Sequence, residues 1–311
     1  SLGNSARKVL RCSAEVWIRR PRIISTVSLP LDGQPFAANL SPGLLVANLF
    51  FAQAFHIYPG MSWNGPAWSV AVEFYVYLIF ALVVLTAGAR AALFAAIALA
   101  AAIALALTSP SAMFVTYDLG FLRCVYGFFA GCVAYRLSAR VAAPNGGAAT
   151  AIESIALSAV VAFIAMTGEN ASSFAAPLLF ALVIPIFARE RGFASRIMTM
   201  RAPQALGRWS YSIYMVHWLV FALWKIAITL IEKFAHVGPA VARTAPVKEW
   251  AFDSAAMNGL ALIVLLASVI AAAAFTYRFI EAPARDAFNR FARRWEARNG
   301  VPAARIIRVA A

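Results

Sequence analysis

Long apolar runs with few charged positions recur along most of the chain. Seven of them reach or approach the length of about 20 residues that a helix needs to cross a bilayer. These runs cover residues 67–86, 91–108, 119–135, 152–167, 173–188, 209–231 and 257–280. Because backbone groups in hydrocarbon must find their hydrogen-bond partners within the segment, the runs predict helices rather than strands.

An eighth apolar run, residues 44–58, is uncharged but short, and it follows Pro42 and Gly43. Three interpretations are open for it: a marginal span, a re-entrant segment or an interfacial helix. The predicted fold class is therefore all-α, a polytopic integral membrane helical bundle with seven or eight spans.

Composition supports this class and excludes an ordinary soluble protein. Of the 311 residues, 62% are hydrophobic and 13% are charged, whereas a soluble domain has about 25% charged residues. The formal net charge of +14 would suit a nucleic-acid partner only if the basic residues formed a patch. They lie instead in alternate connections between the apolar runs.

The distribution of lysine and arginine predicts the orientation in the membrane. Connections 56–66, 109–118 and 168–172 contain neither residue, and connection 232–256 is mixed in charge. The remaining connections and the C-terminal tail contain arginine. By the positive-inside rule, the arginine-rich connections and the C-terminus are expected in the cytoplasm. The charge excess is thus assigned to membrane orientation, and no nucleic-acid partner is expected.

The three cysteines and three histidines show none of the spacings of a zinc site, so we predict no metal. Polar residues within the apolar runs are the better candidates for chemistry, because an ionisable group in a membrane span is costly.

The first candidate group lies where the first long run begins. Pro66 precedes the helix, Ser69 and Glu73 are four residues apart and share a face, and Glu73 is roughly 8 Å deeper than Trp68. Glu73 is interpreted as a functional carboxylate. The alternative is a carboxylate that pairs with a neighbouring helix to assemble the bundle.

The second group lies in the run 209–231 and consists of Tyr211, Tyr214, His217 and Trp218. Tyr214, His217 and Trp218 share a helix face, and His217 is nine residues beyond Arg208. We interpret His217 as functional or as direct support of a site. The alternative is a hydrogen-bonded histidine of the protein core.

Two further positions complete the set. Arg123, near the outer end of its run, is a candidate partner of Glu73 or an oxyanion-type donor, and snorkelling to the surface is the alternative. Glu281 lies at the end of the last run with Arg278 three residues before it, so the two can also pair with each other. Pro283 is expected to end that helix.

The tail after the last run has the spacing of a basic amphipathic helix. Phe288, Phe291 and Trp295 fall on one side of it, and arginines surround them. A helix on the anionic inner leaflet and a solvated positive-inside tail are both open interpretations.

Three separated blocks of this sequence resemble the membrane acyltransferase-3 family, the integral-membrane O-acyltransferases that modify bacterial glycans. They are NGPAWSVAVEFYVYLIF, LGRWSYSIYMVHWLVF and FTYRFIEAPARDAF, and the stretch from Arg123 to Gly131 fits a fourth pattern of the family, RxxxFxxG. Together the blocks cover the chain from about residue 44 to residue 288.

The resemblance implies a ten-helix bundle in the bacterial plasma (inner) membrane that takes an acyl group, expected to be acetyl, from cytoplasmic acyl-CoA. The acceptor would be a hydroxyl of a cell-surface glycan or glycolipid. Acyl-CoA would be a donor substrate, with no tightly bound cofactor. The implied catalytic residues are His217, Glu73 and Arg123. The implied substrate-binding residues are Trp68, Ser69, Tyr211, Tyr214, Trp218 and Glu281.

Arg19, Arg20 and Arg22 would fall where the family has a basic cytoplasmic cluster, and their guanidinium groups suit the phosphates of CoA. The sequence departs from the family at its start, because residues 1–22 contain no histidine to match the Arg–His pair of the family's first helix. We therefore expect a chain that lacks the first two helices, with His217 as the substitute base.

The expected organisation is a basic irregular segment at 1–43, an acyltransferase-like transmembrane domain at 44–284 and a basic cytoplasmic tail at 285–311. The expected enzyme class is an acyltransferase of groups other than amino-acyl groups, inactive if the missing helices are essential. The alternatives are a transporter or flippase for a glycolipid or small solute, and a non-catalytic membrane partner.

Overall fold

A computed structural model describes residues 41–55, 63–116, 118–138, 146–168, 170–235, 241–242, 249–250 and 255–299. The predictions for Arg19, Arg20 and Arg22 lie outside these residues, as does nearly all of the predicted N-terminal segment.

Helices account for nearly all of the described residues, which confirms the all-α class. In chain order they are α1 Pro42–Leu49, α2 Ala67–Ala87, α3 Ala91–Thr108, α4 Gly120–Ser138, α5 Gly146–Met166, α6 Ala176–Phe187, α7 Phe193–Met198, α8 Arg201–Ala235, α9 Ala255–Thr276 and α10 Ala282–Asn299. Short 3-10 helices cover Ala52–Phe55 and Ala171–Ala175, and a π-helical turn, Tyr277–Glu281, joins α9 to α10. Two-residue strands, β1 Val241–Ala242 and β2 Glu249–Trp250, pair antiparallel.

Five helices of the described residues are long and apolar enough to cross a membrane, which confirms a polytopic membrane bundle. They are Ala67–Ala87, Ala91–Thr108, Gly146–Met166, Arg201–Ile228 and Ala256–Arg298. The other two predicted spans also form helices: α4, which carries Arg123 and Arg136, and the shorter apolar helix Ala171–Phe187.

The eighth apolar run does not form one continuous helix. Ser41 caps α1 by accepting a hydrogen bond from the Leu44 backbone N–H, but α1 ends at Leu49, and Phe51 has a positive φ of 58°. A helix of eight residues is about 12 Å long, too short for a hydrocarbon core of about 30 Å. Residues 44–55 therefore form no single helix of spanning length, and how the run 44–58 meets the membrane stays a prediction.

The core lies where α2, α3 and α4 meet. Phe80 of α2, Phe94 of α3 and Phe128 and Phe129 of α4 form a cluster of rings whose centroids are 5.4–6.5 Å apart. Small buried residues such as Ala98 allow the helices to approach closely. This packing fixes the position of α4 beside α2, which matters for the polar residues described below.

A buried carboxylate that the sequence analysis missed ties α5 to α7. Glu153 of α5 is 2% exposed and accepts hydrogen bonds from the Gly192 N–H at 2.8 Å, the Ser195 N–H at 3.1 Å and the Ser195 hydroxyl. These donors satisfy the start of α7, whose backbone N–H groups have no partner within the helix. Because α8 begins soon after α7, Glu153 also restrains where α8 begins.

Gly192 leaves room for the Glu153 carboxylate. A Cβ atom added there would lie 2.2 Å from the carboxyl carbon of Glu153, which is far inside van der Waals contact.

We expect Gly192→Ala to destabilise the fold by about 2 kcal/mol, because a methyl group forced against a buried carboxylate strains the packing. The measurement is the melting temperature of the purified protein in detergent, which should fall by several degrees. Gly147→Ala is the matched control, since a Cβ at Gly147 in α5 meets nothing within 4 Å and alanine favours the helix. Equal melting temperatures for the two variants would contradict this account of Glu153.

Candidate functional site

The start of α2 lies against the middle of α8 through a pair of hydroxyl groups. The Ser69 Oγ and the Tyr214 hydroxyl are 2.6 Å apart, and both lie within hydrogen-bond distance of the Pro66 carbonyl oxygen, at 3.2 and 3.0 Å. The Asn64 side-chain amide donates to the Met215 carbonyl at 3.2 Å. We call these contacts the Ser69–Tyr214 junction, and they bring the first two predicted groups together.

Glu73 lies one helical turn along α2 from Ser69, as Tyr211 lies one turn along α8 from Tyr214. The Tyr211 hydroxyl lies close enough to the Glu73 carboxylate to feel its negative charge. Glu73 is exposed and accepts no hydrogen bond from the described residues. The alternative of a carboxylate paired for assembly is therefore not observed in this part of the chain.

Glu281 is held by α8 rather than by its sequence neighbour. The Ser212 hydroxyl, 4% exposed, donates to Glu281 Oε2 at 2.7 Å. Within the described residues Arg278 forms no ion pair with Glu281, and its guanidinium lies 5.9 Å from the Phe279 ring centroid. Tyr211 is also within electrostatic range of Glu281. The predicted Arg278–Glu281 pair is thus replaced by a bond that links the last span to α8.

Arg123 stacks on Trp68 instead of pairing with Glu73. Its guanidinium carbon lies 5.5 Å from the centroid of the Trp68 ring, a cation–π distance. Its Nη1 donates to the Met113 carbonyl at 3.4 Å, and Met113 is itself fixed by its N–H donating to the Ser173 hydroxyl at 3.2 Å. No ion pair joins Arg123 to Glu73 in the described residues, so the first of the alternatives for Arg123 is not observed there. Its role as an oxyanion-type donor stays a prediction.

Gly120 explains why Trp68 can lie so close to α4. A Cβ atom at Gly120 would be 2.5 Å from Cζ3 of the Trp68 ring, so only glycine leaves room for the indole. Arg123 follows Gly120 by three residues, nearly one helical turn. The same helix end therefore supplies both the space for Trp68 and the cation above it.

The geometry of His217 assigns the proton of its ring. His217 Nδ1 is hydrogen-bonded to the Tyr214 carbonyl, and a carbonyl can only accept, so Nδ1 carries the hydrogen. In the neutral ring Nε2 is then the basic nitrogen, and no described residue forms a hydrogen bond with it. The imidazole is half-buried, and its centroid is 5.6 Å from that of the Tyr214 ring.

The structure therefore brings most of the predicted residues into one region. Seven of them are connected by direct contacts or by interactions between charged and polar groups: Trp68, Ser69, Glu73, Arg123, Tyr211, Tyr214 and Glu281. His217 joins the region through Tyr214. Trp218 is half-buried on α8, and no polar contact in the described residues connects it to the others.

Four contributors to this region were missed from the sequence: Asn64, the Pro66 carbonyl, Gly120 and Ser212. Ser212 is flanked by predicted residues, so its position gave a signal that was not used. The Asn64 side-chain oxygen is buried and has no hydrogen-bond partner among the described residues, which makes it a further acceptor at the junction. Backbone groups such as the Pro66 carbonyl carry no sequence signal.

Comparison with known proteins gives one match. A family model described as an acyltransferase domain matches residues 24–278, a range that contains the Ser69–Tyr214 junction, Glu73, Arg123 and His217. Neither the curated proteins nor the solved structures compared with the chain include a match. Because the family model covers most of the chain and agrees with the resemblance found in the sequence, the chain belongs to the acyltransferase-3 family.

Proposed function

We propose that this protein is a membrane O-acyltransferase that transfers an acyl group, expected to be acetyl, from acyl-CoA to a hydroxyl of a cell-surface glycan. Membership of an acyltransferase family supports the reaction class. The observation that carries the proposal is the Ser69–Tyr214 junction with two basic groups beside it, the Glu73 carboxylate and His217 Nε2. The bacterial plasma membrane and a cytoplasmic C-terminus are part of the same proposal.

In this reaction the acceptor oxygen forms a bond to the thioester carbonyl carbon, and the carbon–sulfur bond breaks. The acceptor hydroxyl loses a proton, and the departing CoA sulfur gains one. His217 Nε2 is suited to take up the first proton, because the Tyr214 carbonyl fixes the tautomer in which Nε2 is the acceptor. A positioned base of this kind contributes on the order of 10²- to 10⁴-fold to the rate.

The other residues are assigned by their chemistry. Arg123 carries a positive charge beside the junction and is proposed to stabilise the oxyanion that develops on the thioester carbonyl. Glu73 and the hydroxyls of Ser69, Tyr211 and Tyr214 can accept or donate hydrogen bonds to a sugar. Trp68 and Trp218 offer apolar ring surface to the sugar, and Glu281 positions α8 through Ser212.

Binding of the CoA phosphates by Arg19, Arg20 and Arg22 stays a prediction, as these arginines lie outside the described residues.

The first test is transfer by the purified protein in lipid nanodiscs. With acetyl-CoA and a chemically de-O-acetylated bacterial polysaccharide, we expect release of CoA thiol that depends on the polysaccharide, together with acetyl groups on the glycan detected by mass spectrometry. His217→Ala should lower kcat on the order of 10²- to 10⁴-fold. If the folded wild-type protein released no thiol with any hydroxyl acceptor, the proposal would be wrong. A transporter would give that result.

The second test asks whether the junction acts as a unit. Removing one partner of this hydrogen bond should cost about 1 kcal/mol, so Tyr214→Phe and Ser69→Ala should each lower kcat/KM about fivefold. The double variant should be no worse than either single variant, because both remove the same contact. Tyr135→Phe is the matched control, since its hydroxyl forms no hydrogen bond with the described residues. Additive losses in the double variant would show that the two hydroxyls act independently.

A further inference from the structure

The largest apolar side chains of α10 are more than half exposed. Phe288, Phe291 and Trp295 are 68%, 64% and 54% exposed. Among the described elements, the closest packing of α10 is with the π-helical turn that precedes it. Its 18 residues correspond to a length of about 27 Å.

The three aromatic residues form one continuous face. Their spacing of three and four residues places them on the same side of a helix, and Ala284 and Ala292 lie near that side. Arg294 and Arg298 border this face, while Arg290 and Arg293 are on the far side of the helix. We call the aromatic side the aromatic face of α10.

The charge of α10 selects the partner. The helix contains five arginines against Asp286 and Glu296, an excess of three positive charges. A second copy of the chain would bring the same excess against it, and like charges repel. An anionic lipid surface complements both features, because aromatic rings sit at the headgroup–acyl boundary and arginines bind the phosphates above it.

For α10 to lie on such a surface, the continuous helix Ala256–Arg298 must bend where α9 joins α10. The π-helical turn Tyr277–Glu281 interrupts the regular hydrogen-bond pattern, and Pro283 follows it without a backbone N–H. The prediction that Pro283 ends the helix is wrong, because the chain stays helical to Asn299. Bends in helices concentrate at these two features. The turn is itself anchored to the bundle, because Glu281 accepts the hydrogen bond from Ser212 of α8.

We propose that α10 is an interfacial helix that binds anionic phospholipid headgroups on the side of the bilayer where α9 ends. The aromatic face inserts at the boundary with the acyl chains, and Arg294 and Arg298 contact the phosphates. This assignment is independent of the acyl-transfer reaction.

Spin labels on the full chain in nanodiscs test the proposal. In a background with Cys12→Ser, Cys124→Ala and Cys132→Ala, one label is attached at Phe291→Cys and a matched label at Asn289→Cys, outside the aromatic face. In nanodiscs that contain phosphatidylglycerol, the label at 291 should be accessible to oxygen and shielded from a water-soluble nickel reagent, and the label at 289 should show the reverse. Discs of phosphatidylcholine alone should shield position 291 less.

Two results would overturn the assignment. One is equal nickel accessibility at both positions in the phosphatidylglycerol discs. The other is dipolar broadening between labels at 291 on two chains, which would mean that a second copy covers the face.

The contribution of charge is tested by removing arginines in pairs. Arg294→Gln with Arg298→Gln should lower the ratio of inserted to exposed label about fivefold for each arginine. Arg290→Gln with Arg293→Gln removes the same charge from the far side of the helix. This pair should lower the ratio less, because screening beyond about 8 Å weakens the attraction between these arginines and the lipid phosphates. Equal losses from the two pairs, or no loss from either, would contradict the assigned contacts.

Discussion

The contact between α2 and α8 at Ser69 and Tyr214 is the interaction on which the candidate site depends. The two residues are 145 positions apart, and the helices that carry them are otherwise organised around different neighbours. α2 belongs to the phenylalanine core with α3 and α4, whereas α8 packs mainly with α9. The junction joins these two groups of helices. Glu73, Arg123 and Trp68 come from the first group, and His217, Tyr211 and Glu281 from the second.

Two polar contacts elsewhere lie on elements next to α8, one buried and one partly buried. Glu153 holds the start of α7 and so restrains the beginning of α8, and Ser212 holds Glu281 at the end of the last span. Both bonds satisfy groups that would be costly in an apolar surrounding. Both bonds lie on elements next to α8: the first at α7, which precedes it, and the second at the end of the last span. A polar network of this kind specifies one arrangement of helices that apolar packing alone would leave interchangeable.

The predicted helices were confirmed at each of the seven long apolar runs, because a run of that length has no alternative to a helix in hydrocarbon. The site was predicted less completely. Ser69 with Glu73, and Tyr214 with His217, were found from helical spacing, which depends only on local geometry. Where a partner had to be chosen, the structure shows contacts other than the pairs considered: Arg123 stacks on Trp68, and Glu281 accepts a hydrogen bond from Ser212. Glu153 was missed because its donors, Gly192 and Ser195, are about 40 residues away in sequence.

The sequence by itself determined the membrane class, the positions of the long helices and the family, since these follow from apolar length and from motifs within single helices. The tertiary structure decided which polar groups form hydrogen bonds with other helices and which form none within the described residues. The Tyr214 carbonyl fixes the tautomer of His217, Gly120 makes room for Trp68, and Glu73 is without a hydrogen bond from the described residues. The physical reason is that helical spacing specifies the side on which a residue lies, whereas the partner on that side depends on which helix packs there.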